Sequence, residues 1–311
     1  MSRLEAMQMV KTVWLVDAFT NRPLTGNPAG VVPDADGLSV AQMQSIASEL
    51  HASETAFVLS AKDSRQADFR LRYFTPASEV DLCGHATIGS VSGLLAAGRL
   101  TTAPDAAGAQ VGECNIETNV GVLPIRYGWL DGQPWAEMGQ ARPQFRDGAF
   151  DGLTAAQMLG ISAAEIDDDL PMGMSYTGLW DVFVPVRSIA TVQRLQPDLG
   201  RLSQWNQSLG AASTHVYARG GVEPGHDFHT RDFSPAVGVP EDPATGTATG
   251  ALTALLYRSH VIDAGATFAF EQGYEIGRSS VVYGRAARLD DGLAVYVRGT
   301  AVVSLTGQLH L

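Results

Sequence analysis

Three short stretches of this 311-residue chain carry residue types that can move protons or hold a ligand. The first is Leu82-Cys83-Gly84-His85-Ala86-Thr87. It runs into Ile88, Val91, Leu94 and Leu95 at helical spacing and stops at Gly98, which predicts a helix with Cys83, Gly84 and His85 at its N-terminus. Unpaired backbone N–H groups at such an end favour an anion, and a thiol and an imidazole beside it are candidate acid–base groups. The second stretch, Glu241-Asp242-Pro243-Ala244-Thr245-Gly246-Thr247, feeds another helical stripe at Leu252, Leu255 and Leu256. The third, Ser53-Glu54, falls in a helix-to-strand connection, where side chains can face a ligand.

The elements that must position these residues are legible from periodicity. Val13 to Phe19 reads as a strand, and Thr20 to Gly30 as a loop rich in turn formers, in which Asn27 can reach a ligand. Ser39 and Gln42 have capping-box spacing ahead of a helix carrying Met43, Ile46, Ala47 and Leu50. Strands are predicted at Thr55–Leu59 and Phe69–Phe74, and a strand pair over Ile116–Tyr127. Past Gln140, Thr154 with Gln157 and Ser162 with Glu165 give two more capping boxes, and Asp198 caps a helix with Leu199, Leu202, Trp205 and Leu209. Thr214–Ala218, Asp227–Phe233 and Tyr296–Leu309 read as strands. His226 and His229 fall in a strand-like segment that places them on opposite faces, so no metal site is expected there.

The two helix-feeding stretches share a phrase. Arg72-x-Phe74-x-Pro76 precedes Cys83-Gly84-His85-Ala86-Thr87, and Arg231-x-Phe233-x-Pro235 precedes Thr245-Gly246-Thr247-Ala248-Thr249 across a loop three residues longer. Two such units related by a two-fold would aim both helix ends at one cleft. The asymmetry matters, because epimerisation by two opposed thiols needs a cysteine on each side, and Thr245 stands where the first half has Cys83.

Composition narrows the function classes. A formal net charge of -12 argues against nucleic acid or an anionic membrane surface as partner. Two cysteines exclude a disulfide scaffold. With no apolar run long enough to span a membrane and no signal-type apolar run at the start, a cytoplasmic protein is expected.

Taken together, Val16-Asp-Ala-Phe19, Thr25-Gly-Asn-Pro-Ala-Gly-Val31, Ser53-Glu-Thr55, Arg72-Tyr-Phe-Thr-Pro76, Leu82-Cys-Gly-His-Ala-Thr87, Glu241-Asp-Pro-Ala-Thr-Gly246 and Glu271-Gln-Gly-Tyr-Glu-Ile-Gly-Arg278 resemble the PhzF-like phenazine-biosynthesis family, a branch of the diaminopimelate-epimerase-like fold. The resemblance implies an α+β fold of two pseudo-symmetric domains. Each would be a mostly antiparallel β-sheet or barrel around a central helix, with the active site in the inter-domain cleft. Residues 1–130, completed by a C-terminal strand at about 299–311, would form the first domain and 131–298 the second.

In activity, the resemblance implies a cofactor-independent, metal-free isomerase that acts on a small carboxylated molecule, and a homodimer. Phenazine-pathway members isomerise a dihydro-hydroxyanthranilate, a glutamate moving the proton. That glutamate corresponds to Glu54, with His85 and Asp242 as its catalytic partners and Thr247 helping to hold the substrate. Gly84 and Gly246, at the two helix ends, would bind its carboxylate. The rival expectations are an amino-acid epimerase or racemase, and a non-catalytic binding protein on the same fold.

Overall fold

The computed structural model describes residues 9–290 and 292–311. Residues 1–8, most of the start read above as lacking a signal-type run, lie outside the described residues. The chain divides into two compact units. Unit 1 comprises residues up to Leu24, Pro28–Ala136 and Thr300–Leu311, and unit 2 comprises Thr25–Asn27 and Glu137–Gly299. The fold is mixed and dominated by sheet.

Unit 1 begins with β1 (Val10–Ala18) and takes up β2 (Asn27–Val32), α1 (Val40–Leu50), β3 (Thr55–Leu59), β4 (Phe69–Phe74) and β5 (Glu79–Val80). Then come α2 (Gly84–Ala96), β6 (Ala103–Pro104), β7 (Gln110–Thr118), β8 (Gly121–Leu130) and β9 (Gln133–Gly139), the last of which leads out of the unit. β2 pairs parallel with β3 across the α1 crossover, and β3 pairs antiparallel with β4. β4 then lies antiparallel to β5 and parallel to β7. The Ser39–Gln42 capping box forms at the start of α1, reciprocal bonds of a kind that stabilise a helix end by about 1 kcal/mol. Met43, Ile46 and Ala47 of α1 pack on Val32, Phe57 and Phe74. The predicted loop through Gly30 is shorter than the turn formers suggested, because β2 already starts at Asn27.

Unit 2 holds β10 (Gln144–Arg146), α3 (Gly152–Leu159), β11 (Gly173–Tyr176), β12 (Trp180–Pro185), α4 (Ile189–Gln193), α5 (Leu199–Leu209) and β13 (Ser213–Arg219). It continues through β14 (Phe228–Ser234), β15 (Val239–Asp242), α6 (Gly246–Arg258), β16 (Thr267–Gln272), β17 (Ser280–Leu289) and the start of β18 (Gly292–His310). The pairing order of unit 1 recurs here: β12–β13 parallel, β13–β14 antiparallel, β14–β15 antiparallel and β14–β16 parallel. β18 pairs with β17 in this unit, and its residues from Ala301 onward pair with β1 in unit 1.

The stripe on α2 proved too narrow a reading. Every residue from Ala86 to Leu95 is buried, Ser90 and Ser92 included. A helix enclosed on all sides needs small residues where neighbours come close. A Cβ on Gly93 would lie 3.2 Å from the Trp14 ring, and one on Gly89 3.3 Å from Val16, so these glycines let α2 seat against β1. In unit 2, Ala248–Leu256 of α6 are likewise buried, against Phe183, Tyr217, Phe228 and Phe270. One capping box was misread. Asp151, not Thr154, caps α3, and its carboxylate accepts from the Thr154 N–H.

Candidate active site

In unit 1 the structure brings Glu54, Cys83 and His85 together. α1 ends at His51, whose left-handed backbone (φ 52°) turns the chain through Ala52 and Ser53 to Glu54 at the mouth of β3. The Gly30 N–H donates to the Glu54 carbonyl at 3.0 Å, so β2 fixes the backbone under this carboxylate. The contact is close enough to demand glycine, since a Cβ at position 30 would lie 2.5 Å from Thr55 Oγ1 and 3.0 Å from Leu50 Cδ1.

From the other side, Cys83 is the N-cap of α2 and His85 lies in its first turn. The Thr87 N–H and hydroxyl both donate to the Cys83 carbonyl, at 3.0 and 2.7 Å, and the Tyr73 hydroxyl meets Thr87 Oγ1 at 2.7 Å. Buried Tyr73 on β4 thereby fixes the first turn of α2.

His85 Nε2 lies 3.3 Å from Glu54 Oε2 and 3.3 Å from Ser53 Oγ, and Cys83 Sγ lies 3.4 Å from His85 Nδ1. Glu54 Oε2 is shielded from solvent and makes no hydrogen bond among the described residues. Burial lowers the His85 pKa and the Glu54 charge pulls it back up; burial is the larger effect, so the imidazole is neutral at pH 7. A neutral imidazole offers one donor and one acceptor nitrogen.

The helix start itself is open. α1, α3, α4 and α5 each begin with a side-chain cap, from Ser39, Asp151, Ser188 and Asp198. α2 and α6 begin with none. Their first N–H groups are left to a ligand or solvent.

In unit 2, Asn27, Asp242, Gly246 and Thr247 form the second group. Asn27, almost wholly buried, donates from Nδ2 to Asp242 Oδ1 at 3.0 Å and to the Ala244 carbonyl at 2.9 Å. The Thr245 hydroxyl donates to Asp242 Oδ2. Gln272 receives the Thr245 N–H on Oε1 and donates from Nε2 to the Asp242 carbonyl and Thr245 Oγ1. Arg278 donates to the carbonyls of Thr25 and Gly26, holding the backbone that presents Asn27. The methyl of Thr247 faces Gly178, where a Cβ would come within 2.9 Å, and the Thr247 carbonyl accepts from Thr177 Oγ1.

Gln272 and Arg278 stand in the Glu271–Arg278 stretch, yet no role was read for them. A glutamine and an arginine carry no chemistry of their own that spacing can flag. The His226–His229 reading is corrected. β14 begins only at Phe228, so His226 sits in the preceding turn, and both histidines present Nδ1 to Glu271, at 2.7 and 2.8 Å. His229 Nε2 also reaches Glu275 at 2.7 Å.

The repeated phrase corresponds to repeated contacts. Arg72 makes a two-pronged pair with Glu79 at 2.8 and 2.7 Å, and its guanidinium lies 5.3 Å from the Phe74 ring. Arg231 does the same with Glu241 at 2.9 and 2.7 Å, and lies 4.8 Å from the Phe233 ring. In each unit the pair ties the strand to the loop that delivers the helix start.

Comparison with known proteins identifies the family. Residues 16–307 match the family model described as phenazine biosynthesis-like protein, PhzC-PhzF. The chain is 37% identical to the uncharacterized isomerase YfhB of Bacillus subtilis (strain 168), covering 95% of this chain and 97% of that one. It is 34% identical to the trans-2,3-dihydro-3-hydroxyanthranilate isomerase of Pseudomonas chlororaphis, over 96% and 98% of the two chains. The solved Bacillus anthracis phenazine biosynthesis protein of the PhzF family superposes with a TM-score of 0.87 at 35% identity, covering 97% of this chain and all of that one. A match of this extent, over a chain whose motifs fold into the two groups above, shows that the protein belongs to the PhzC-PhzF family and is an isomerase.

Proposed function

We propose that the protein isomerises a small, carboxylated, ring-containing substrate, with Glu54 taking a proton from one carbon and returning it to another. The observation that carries this reading is Glu54 Oε2, shielded, without a hydrogen-bond donor and 3.3 Å from His85 Nε2. A carboxylate oxygen not already engaged is available as a general base, a role worth about 10²–10⁴-fold in rate. His85, neutral through burial, orients the carboxylate and hydrogen-bonds the substrate. The uncapped start of α2 at Gly84 takes the substrate's carboxylate. The same reading assigns Asn27, Asp242, Gly246 and Thr247 to substrate binding and orientation, and takes the two units as two copies of one domain design, each built about its enclosed helix.

Allylic transfer by one carboxylate fits better than epimerisation by two thiols. The residue at the start of α6 is Thr245, whose hydroxyl is bonded to Asp242, and the second cysteine, Cys114, lies on β7 with its thiol pushed up to about 12 by burial. The named relative makes trans-2,3-dihydro-3-hydroxyanthranilate the first substrate to test. Turnover of this compound, or of another small cyclic carboxylate in a panel, to a double-bond isomer supports the reading. Loss of optical rotation from an amino-acid panel, with the carbon skeleton unchanged and no double-bond shift, overturns it.

A further inference from the structure

The cluster that presents Glu54 has a second chemical capacity. A carboxylate, a thiol and an imidazole have their ligating atoms within 4.8 Å of one another: Glu54, Cys83 and His85. We propose that these three residues bind a thiophilic divalent cation, Zn²⁺ or its analogue Co²⁺, through Glu54 Oε2, Cys83 Sγ and His85 Nε2. The consequence that a bound ion blocks the proton carrier rests on the function proposed above; the binding itself does not.

The separations suit the ion. With Zn–N and Zn–O bonds near 2.0–2.1 Å and Zn–S near 2.3 Å, the edges of a tetrahedral site are about 3.3 Å for N···O and about 3.6 Å for S···N. Here Nε2 lies 3.3 Å from Glu54 Oε2 and 3.9 Å from Cys83 Sγ, and all three ligand atoms lie within 4.8 Å of one another, so side-chain rotation of Glu54 and Cys83 closes the site. The ligands are held from different sides, Glu54 by the Gly30 contact and the other two by the first turn of α2. Three protein ligands leave one tetrahedral position for water.

Donor chemistry selects the metal. Sulfur with imidazole and carboxylate suits Zn²⁺, whereas Mg²⁺ and Ca²⁺ require oxygen. The positive end of α2 opposes a cation, but two anionic ligands, thiolate and carboxylate, outweigh it. Ser53 Oγ, 3.3 Å from Nε2, is displaced on binding. The Cys83 thiol proton passes to solvent as the metal–sulfur bond forms.

The test uses tag-free full-length protein and no substrate. Co²⁺ is titrated into wild type, Cys83→Ala, Cys114→Ala and Glu54→Gln, and the near-ultraviolet sulfur-to-cobalt charge-transfer band is followed, with Zn²⁺ displacement giving affinity. Circular dichroism checks that each variant is folded. The proposal expects one ion per chain with the band in wild type and Cys114→Ala, no band in Cys83→Ala, and Zn²⁺ binding at least about tenfold weaker in Glu54→Gln, since even outer-shell changes cost about 10–100-fold. No band in wild type, or a band that survives in Cys83→Ala, overturns it. Should Cys83→Ala fail to fold, blocking of the Cys83 thiol by bound Zn²⁺ against a maleimide, reversed by chelator, decides in its place; equal labelling with and without Zn²⁺ overturns the proposal.

Discussion

Glu54 owes its position to a residue with no side chain. Gly30 accepts the approach of Thr55 and Leu50 because it lacks a Cβ, and its N–H holds the Glu54 carbonyl. Gly30→Ala forces a 2.5 Å contact with Thr55 Oγ1, an overpacking that costs roughly 1–3 kcal/mol. We expect that loss in urea unfolding, together with a fall in turnover larger than the change in stability accounts for, because the shift is delivered to the residue beside Glu54. Gly98, with φ of 70° and open space around it, makes a control: Gly98→Ala costs about 1 kcal/mol for backbone strain and leaves turnover unchanged.

Residue types in the motifs could be read from the sequence, but these contacts could not. That Cys83, Gly84 and His85 begin a helix followed from the apolar spacing and Gly98, and the structure starts α2 at Gly84. That Glu54 meets His85 did not follow from any spacing, because the meeting depends on how β2, β3 and α2 pack.

At the scale of elements, β14 and β16 are joined by a buried ionic chain. Glu271 accepts from His226, His229 and the N–H groups of Val222 and Glu223. Burial opposes its charge, but these four donors together hold its pKa down at about 2. Burial likewise opposes charge on His229, yet its bonds to Glu271 and Glu275 push it up to about 9. The sign of the linkage is then fixed. A histidine raised from 6.5 to about 9 adds stability that is fully present below pH 6.5 and is lost as pH rises through 9. Glu271, lowered from 4.5, adds stability present above pH 4.5 and lost as pH falls toward 2. We expect the wild-type Tm to decline between pH 7 and 9.5, and His229→Gln to flatten that decline while lowering stability at pH 6 by roughly 3–5 kcal/mol, the usual cost of breaking a buried pair. A decline of equal slope in His229→Gln would assign the pH dependence to other groups.

This chain escaped the sequence because its members are distant in number. His226 and His229 looked like a strand pair split between two faces, while the carboxylate that unites them arrives on β16, more than forty residues later. The same holds for Asp181, Ser213 and Asp232, which alternation along β12, β13 and β14 gave no reason to group. Ser213 Oγ lies 3.0 Å from Asp181 Oδ1 and 2.8 Å from Asp232 Oδ2, and burial with the Asp232 charge raises the Asp181 pKa. The Arg72–Glu79 and Arg231–Glu241 pairs were nearer to legible, since each arginine falls within the repeated phrase and each glutamate in the loop between its two parts.

For the whole molecule, the last strand is the feature on which unit 1 depends. β1 pairs with β18 from Val10↔His310 to Ala18↔Ala301, with one bulge between Leu15 and Val16. A chain ending at Gly299 leaves β1 without that partner and uncovers an edge on which Val13 and Val16 are buried. We expect this truncation to be recovered as aggregate or to lose the cooperative unfolding transition, as read by circular dichroism; a soluble chain with wild-type Tm would contradict the dependence. At this scale the sequence was most informative where motifs occurred in order, because seven short stretches from Val16 to Arg278 carried the family resemblance that the family model then matched over 16–307. The substrate was not legible, because the groups that would recognise it are backbone N–H at two helix starts and side chains whose directions depend on packing.

The central claim, that Glu54 carries the proton, is tested most directly by isomerisation in D₂O. Wild type and Glu54→Gln are each incubated with trans-2,3-dihydro-3-hydroxyanthranilate, or with the cyclic carboxylate the wild type turns over, and product and recovered substrate are read by NMR. The account predicts that wild type forms product carrying deuterium at the reprotonated carbon. It predicts that folded Glu54→Gln forms product at least about 10²-fold more slowly, the lower range for loss of a general base, and exchanges no deuterium into recovered substrate. Folded Glu54→Gln that converts substrate at the wild-type rate with the same deuterium pattern would contradict it.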